Sequence, residues 1–327
     1  MLHGSAIALL YALQAPAPAT HVIIVAGVGG EPAYQQAFFE AGAAMSDAAT
    51  QRFGVPDANV TFLAERPERD RARIDGKSTK ADVEKAFAAV ASRSRAGDLV
   101  FVLLIGHGSA MNGSARFNVP GPDLTAADFA KLIDGLEGRR VAFINAASAS
   151  GDFVAPLAGK DRAIVTATKS GMERNETTFA KFFVAAYAGG DADSDKDGRV
   201  SLLEAFEYAR REVARGYEDA GTLRTEHALL DDDGDGKGIE APTLRTGDGA
   251  LASRMFLSAG SAAIASSDPR LAALVRTKAG LEASIDSLRR RKASTDSLTY
   301  EQTLERLLIE LAMVDRQLRD ANPVKKP

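Results

Sequence analysis

Cysteine is missing altogether from this chain of 327 residues, which excludes disulfides, thiolate zinc sites and thiol nucleophiles together. Histidine is scarce. Only His3, His21, His107 and His227 occur, so imidazole chemistry has few candidates. An excess of positive charge is missing too: a net charge of -4 gives no electrostatic basis for a nucleic-acid partner. No apolar run is long enough to cross a bilayer, and the stretch Ala6 to Leu13 falls well short of the roughly 20 residues a spanning helix needs. With the small residues of "APAPA" behind it, that stretch reads as a secretory signal over residues 1–20, and the expectation is an exported protein, periplasmic or secreted. The positively charged leader of such signals is nearly absent, so a cytoplasmic chain with an irregular N-terminal tail is the alternative. What remains, 45% hydrophobic and 26% charged residues, describes a soluble globular protein of one large domain or two ordinary ones.

Short apolar runs punctuate residues 21–258: "VIIVA" from Val22, then Val60 to Leu63, Leu99 to Ile105, Val141 to Ile144 and Ala163 to Thr166. Helical patterns separate them. In "STKADVEKAFAAV", Thr79 and Asp82 form a capping-box pair ahead of apolar Val83, Phe87 and Val90; in "LTAADFAKLIDGL", Thr125 and Asp128 repeat it ahead of Phe129, Leu132, Ile133 and Leu136. Strands buried on both faces and alternating with amphipathic helices predict an α/β fold, a mainly parallel sheet between two helical layers. In such sheets ligands bind beyond the carboxyl ends of the strands. That rule gathers "GVGG" after the first strand, "GHGSA" after Ile105 and "NAASASGD" after Ile144 on one rim. "GVGGEP" lacks the third glycine of a dinucleotide fingerprint, so it is expected to be a tight turn.

On that rim His107 sits between Gly106 and Gly108 at a strand tip, and the next strand ends in Ser148-Ala149-Ser150-Gly151. Neighbouring strand tips can bring an imidazole and a hydroxyl within hydrogen-bond reach, the geometry of a base and its nucleophile. The Gly108 N–H can approach a substrate oxyanion.

A strand ending in His-Gly, a helix, and a strand ending in small residues around a nucleophile resembles the caspase-like peptidase superfamily, with its legumain, clostripain and gingipain branches. "IGHG" (Ile105 to Gly108), the helix "TAADFAKLIDGL" and "ASASG" (Ala147 to Gly151) carry the resemblance, which extends from about Val22 to Arg215. It implies a three-layer caspase-like sandwich, His107 as general base or acid, the Gly108 and Ser148 N–H groups as an oxyanion hole, and a peptide or protein as substrate or ligand. It further implies that "RAIVTATKSGMERNETTFAKFFVAAY" is a fifth strand with a substrate-side loop and helix. On that loop Glu173, Arg174 or Glu176 would select substrate side chains. The departure is Ser148, standing where the family carries cysteine. A hydroxyl cannot form the stable ion that a thiol forms beside imidazole, and serine attack requires His107 to take the proton, usually with a third group orienting the ring. No acidic residue stands out as that third group. A working Ser/His hydrolase, an inactive pseudopeptidase that serves as a calcium-binding interaction scaffold, and an unrelated use of the crevice all remain open.

Beyond residue 190 the texture changes. "DSDKDGRVSLLE" follows the EF-hand calcium loop: Asp193, Asp195 and Asp197 at positions one, three and five, Gly198 at the sharp turn, Arg199 offering its carbonyl, Ser201 at nine and Glu204 at twelve. Hard oxygen ligands at this spacing suit Ca²⁺, and a helix Leu202 to Arg215 leaves the loop. "DDDGDGKGIE" repeats the first half through Asp231, Asp233, Asp235 and Gly236, but position twelve is Pro242, leaving Glu240 as the substitute ligand in a shortened loop. His227, beside this segment, is expected to be structural, and His21 carries no role. "ALASRMFLSAG" is expected to be a late strand. "SAAIASSDP" reads as a linker whose Asp268-Pro269 starts a helix. Across residues 268–320, one stripe of Leu271, Leu274, Leu281, Ile285 and Leu288 and another of Leu304, Leu308, Leu311 and Leu318 predict an αα-hairpin of coiled-coil character. Its stripe is expected to face the main domain or a second copy of the chain.

Overall fold

The computed structural model describes residues 18–111, 114–243, 247–257 and 296–321, with residues 270, 273, 274, 277, 278, 280, 281, 284, 285 and 288 between them. Residues 1–17 of the expected leader, the "SAAIASSDP" linker and Leu271 lie outside the described residues. Ala19 and Thr20, within the expected leader, belong to the fold: Thr20 opens the first strand and the Ala19 N–H donates to Asp98 at 2.8 Å.

The apolar runs form strands β1 (Thr20–Ala26), β2 (Val60–Ala64), β4 (Leu99–Ile105), β8 (Arg140–Asn145) and β9 (Arg162–Thr166). Two short strands complete their sheet, β3 (Gly76–Lys77) and β10 (Leu229–Asp231). The order is β10-β9-β8-β4-β1-β2-β3, parallel throughout except for β10, which runs antiparallel to β9. Alternate residues of each strand face opposite sides, because side chains in a strand alternate with period two. Val22, Ile24, Leu99, Phe101 and Leu103 pack on one side with α1 (Pro32–Asp47), α5 (Phe179–Ala188) and α6 (Leu202–Asp219). Ile23, Val25, Val100, Val102 and Leu104 pack on the other with α2 (Lys80–Arg93), α3 (Ala126–Asp134) and the single turn α4 (Val154–Leu157), so helices cover both faces. Both N-caps start their helices: Thr79 accepts from the Asp82 N–H as a one-sided cap, and Thr125 and Asp128 cap each other in a full capping box. The first core is strongly aromatic, with Phe101, Phe183 and Tyr187 in mutual ring contact. Each such ring contributes roughly 1.5–3 kcal/mol by burial.

The chain fills one half of the sheet through β2 and β3 and then returns to build the other half from β4. The reversal lies between β1 and β4, which is where a ligand crevice opens in sheets of this type. The carboxyl ends of β1, β4 and β8 meet there: the Gly27 N–H donates to Ile105 O at 2.9 Å and the Ala146 N–H to Leu104 O at 3.0 Å. Over these tips lies a small antiparallel sheet, β5 (Gly108–Met111), β6 (Ser114–Phe117) and β7 (Leu124–Thr125), in the order β5-β6-β7.

Three sequence expectations need correction. Over its described residues 250–257, "ALASRMFLSAG" is not a sheet strand: it makes a 3-10 turn at Ala252–Arg254 and a single bridge from Phe256 to Ser201. The helix after the first acidic loop runs on to Asp219. In the C-terminal hairpin, Leu274 and Leu281 meet Val314 and Leu318, while Ile285 and Leu288 meet Leu304, Leu307 and Leu311 along α7 (Ser297–Ala321). Early residues thus pair with late ones, as in an antiparallel hairpin, and its two stripes face each other. Leu307 is in the seam at 7% exposure while Leu308 faces outward at 43%, because Leu304, Leu307, Leu311, Val314 and Leu318 keep the three- and four-residue steps of one helix face.

Candidate functional site

The rim expected to hold the site is assembled, and its glycines are demanded by close approach. A Cβ on Gly106 would lie 3.0 Å from the Phe117 ring, and one on Gly108 would lie 2.1 Å from the backbone oxygen of Ser148. Only a glycine at 108 lets the start of β5 lie against the turn after β8. That contact brings His107 and Ser148 to the same rim from neighbouring strands.

The two side chains are differently engaged. The His107 ring, half-buried, stands edge-on to Tyr34 (centroids 4.8 Å apart, 87° between planes) and to Phe38 (5.0 Å, 70°). Tyr34 donates its hydroxyl to Glu176 at 2.7 Å, and this bond first of all holds the phenol above its ordinary pKa. Ser148 is only 4% exposed. Its Oγ accepts from the Gly108 N–H and donates to the Gly108 carbonyl, both at 3.2 Å. No hydrogen bond joins His107 to Ser148 among the described residues, and the amide expected to receive an oxyanion is given to the serine itself. The next residue, Ala149, has a φ of 52°, a left-handed conformation costing a non-glycine residue roughly 1–2 kcal/mol. Its N–H is held by the Glu173 carbonyl at 2.7 Å. Ser150 is structural: its buried hydroxyl accepts from the Ala167 and Thr168 amides.

Of the three loop residues expected to select a substrate, Glu173 is turned inward. Its carboxylate accepts from the Lys169 and His227 amides and meets His227 Nδ1 at 2.5 Å. Arg174 and Glu176 stay exposed on the rim, where the Arg174 guanidinium donates to Ala110 O at 3.4 Å. His21 is buried in β1 with Nε2 3.4 Å from Asp98 Oδ2. Tyr34 and Phe38 are the site residues that sequence reasoning missed. Their i,i+4 spacing on the helix after "GVGG" was the available signal.

The first acidic segment folds as a loop leading into α6. Asp193, Asp195 and Asp197 bring carboxylate oxygens within 4.8 Å of one another. Gly198, at φ 83°, makes the sharp turn. Glu204 closes the loop from the first turn of α6, one oxygen taking the Ser194 N–H at 2.9 Å and the other the Ser201 N–H at 2.9 Å. Ser201 is the N-cap of that helix. Lost hydration, and then the charge of Asp197, push Asp195 up to about 6. Burial raises Asp193 as well. Burial works against Asp197 too, but Arg199 and Lys278 outweigh it and hold its carboxyl low. Lys278, from the C-terminal hairpin, places its ammonium 2.7 Å from Asp197 and 3.6 Å from Asp195. The Arg199 guanidinium pairs with Asp197 at 3.0 Å and covers the Phe256 ring at 3.9 Å. The carboxylates of Asp193, Asp195 and Asp197 are close enough to share one hard cation, while in this structure Lys278 and Arg199 supply positive charge at Asp197.

The second acidic segment gathers Asp231, Asp233 and Asp235 in the same way. Glu240, expected among them, instead pairs with Arg224 at 3.2 Å. The physical reason is a bridge between Leu230 and Ile239, which closes the loop early and carries the next residue outward.

No protein-family model matches this sequence, and no curated protein matches it.

Proposed function

We propose that this protein binds peptides in the His107/Ser148 crevice of a caspase-like scaffold, without attacking them, and that Ca²⁺ at the first acidic loop stabilises it. The strand sequence of the sheet, with parallel β2-β1-β4-β8-β9 ending in antiparallel β10, supports the scaffold. So do the imidazole and hydroxyl on adjacent strand tips with α3 between them in the chain. One observation carries the choice of binding over hydrolysis: the Ser148 hydroxyl is spent on both backbone groups of Gly108. A serine nucleophile needs its proton on an imidazole and oxyanion donors left free; here the hydroxyl is bonded to Gly108 rather than His107, and the Gly108 amide is taken by the serine itself. The peptide would lie extended beside β5, an edge strand of its three-stranded sheet. The Gly108 amide and carbonyl and the Ala110 carbonyl of β5 are already engaged by Ser148 and Arg174, so contacts to the peptide would come from the rim side chains Tyr34, Arg174 and Glu176.

The Ca²⁺ ligands would be the carboxylates of Asp193, Asp195, Asp197 and Glu204, the Arg199 carbonyl and the Ser201 side of the loop. Bound there, the ion supplies charge neutralisation. A second reading, hydrolysis by Ser148 with His107 as base, is favoured by the strained backbone at Ala149, since such strain collects at functional sites. Intact mass after exposure to a serine-directed fluorophosphonate, with and without Ca²⁺, separates the two. No adduct is expected. An adduct on the wild type that is lost in Ser148→Ala overturns binding without attack and establishes the hydrolase. For the calcium part, chelation is expected to lower the melting temperature, and Asp195→Ala to diminish that shift by the share of the first loop. An unchanged melt on chelation removes it.

A further inference from the structure

We infer that the second acidic loop is a divalent-cation site of its own, held by Asp231, Asp233 and Asp235 and closed by Asp248 rather than Glu240. The inference does not depend on what the crevice binds. Asp231 is the last residue of β10 and is 0% exposed. One of its oxygens takes the Gly234 N–H at 3.3 Å, while Oδ2 has no hydrogen-bond partner. A carboxylate oxygen buried without a donor is costly to keep ionised, and a coordinated cation is the partner that resolves it. Oxygens of Asp233 and Asp235 lie within 4.8 Å of one another and of Asp231. Among the described residues, no lysine or arginine pairs with any of the three, in contrast to the first loop with its Lys278 and Arg199.

Asp248 arrives from the other side. It is buried, and its Oδ1 accepts from the Asp232 and Asp233 amides at 2.8 and 3.3 Å. Asp232 has a different role. It accepts from the Gly249, Leu251 and Ala252 amides and so ties this returning segment to the loop. Oxygen ligands in this number and charge suit Ca²⁺.

The segment tied down there also holds the first loop. The Leu202 N–H donates to Met255 O at 2.8 Å, and Phe256 bridges to Ser201, both at the start of α6 where the first loop ends. A cation on Asp231, Asp233, Asp235 and Asp248 therefore braces both acidic loops through residues 248–256.

Calorimetric titration of the full chain with Ca²⁺ tests this. Two ions per chain are expected. Asp195→Asn should remove one and leave the other; Asp233→Asn should remove the second alone. Asp248→Asn should weaken the second site by about tenfold or more, as loss of a charged ligand does, and Glu240→Gln should change nothing. A wild type that binds one ion, lost entirely with Asp195→Asn, overturns the inference, as does a second ion lost with Glu240→Gln. Should Asp233→Asn fail to fold, the Asp195→Asn background serves: saturating Ca²⁺ must still raise its melting temperature, and no rise overturns the site. Loss of the second ion leaves the fluorophosphonate result untouched, so the two readings fail separately.

Discussion

Replacing Ser148 with alanine should weaken the fold, which is the opposite of what removing a poised nucleophile does. The Ser148 Oγ makes two hydrogen bonds to Gly108, one accepted and one donated, each at 3.2 Å. A hydrogen bond contributes about 0.5–1.5 kcal/mol net, so losing both costs roughly 1–3 kcal/mol. Gly108 is half-buried, so water can replace part of what is lost, and the expected cost narrows to about 1–2 kcal/mol. For a domain of this size each kcal/mol moves the melting temperature by about 2–4 °C. Ser148→Ala should therefore melt roughly 2–8 °C below the wild type, without change in far-ultraviolet circular dichroism. Ser150→Ala is the internal comparison. Its fully buried hydroxyl accepts two amides and bonds Thr168, so its loss should cost at least as much. Active-site residues that are kept for function at the expense of stability behave otherwise, and their removal is commonly neutral or stabilising. A Ser148→Ala variant as stable as the wild type, or more stable, refutes the view that this hydroxyl is committed to the scaffold.

Gly108→Ala drives a Cβ to 2.1 Å from one backbone oxygen and 3.1 Å from another; denaturant unfolding should show a loss of about 3 kcal/mol or more, and full stability would disprove the close approach. In the hairpin, Leu307→Ala should cost roughly 2 kcal/mol or more, read by hydrogen exchange of α7, while Leu308→Ala stays within about 0.5 kcal/mol; equal effects would mean the seam is misplaced. Burial, opposed by Asp98, lowers the pKa of His21 below its ordinary 6.5. The folded state then binds fewer protons than the unfolded one, so stability is lost as the pH falls from about 6.5 through the folded value. Thermal melts between about pH 7.5 and pH 5.5 should fall less steeply for His21→Gln than for the wild type, and equal slopes would remove His21 from the acid response.

The main strands and the juxtaposition of His107 with Ser148 were legible because both rest on local signals. Continuous apolar runs ending in small residues mark buried parallel strands, and strand tips in such a sheet share one rim. The small sheet of β5, β6 and β7 was not read, although the Asn112-Gly113 dipeptide between the paired residues Met111 and Ser114 is a strong hairpin signal. Its strands are too short to show an alternating pattern. Strand β10 was missed for the same reason, since it spans only the three residues Leu229–Asp231 and runs straight into the acidic segment. The engagement of Ser148 could not be foreseen, because it depends on how closely one strand tip approaches another. Asp248 lies too far along the chain from Asp231 for any spacing rule to connect them, and Lys278 is further still from Asp197. Glu240 was misassigned because loop position was counted along the sequence, while the Leu230–Ile239 bridge resets the count.

Capture of peptides by the wild-type chain bears most directly on the crevice. The protein, in buffer containing Ca²⁺, is mixed with a degenerate peptide library, separated by size exclusion, and the retained peptides are weighed. Peptides should be retained with their full mass, and retention should drop when Tyr34 or Arg174 is changed to alanine on the rim. Retained peptides that emerge cut, or a wild type that retains none, would contradict a crevice that holds peptides without attacking them.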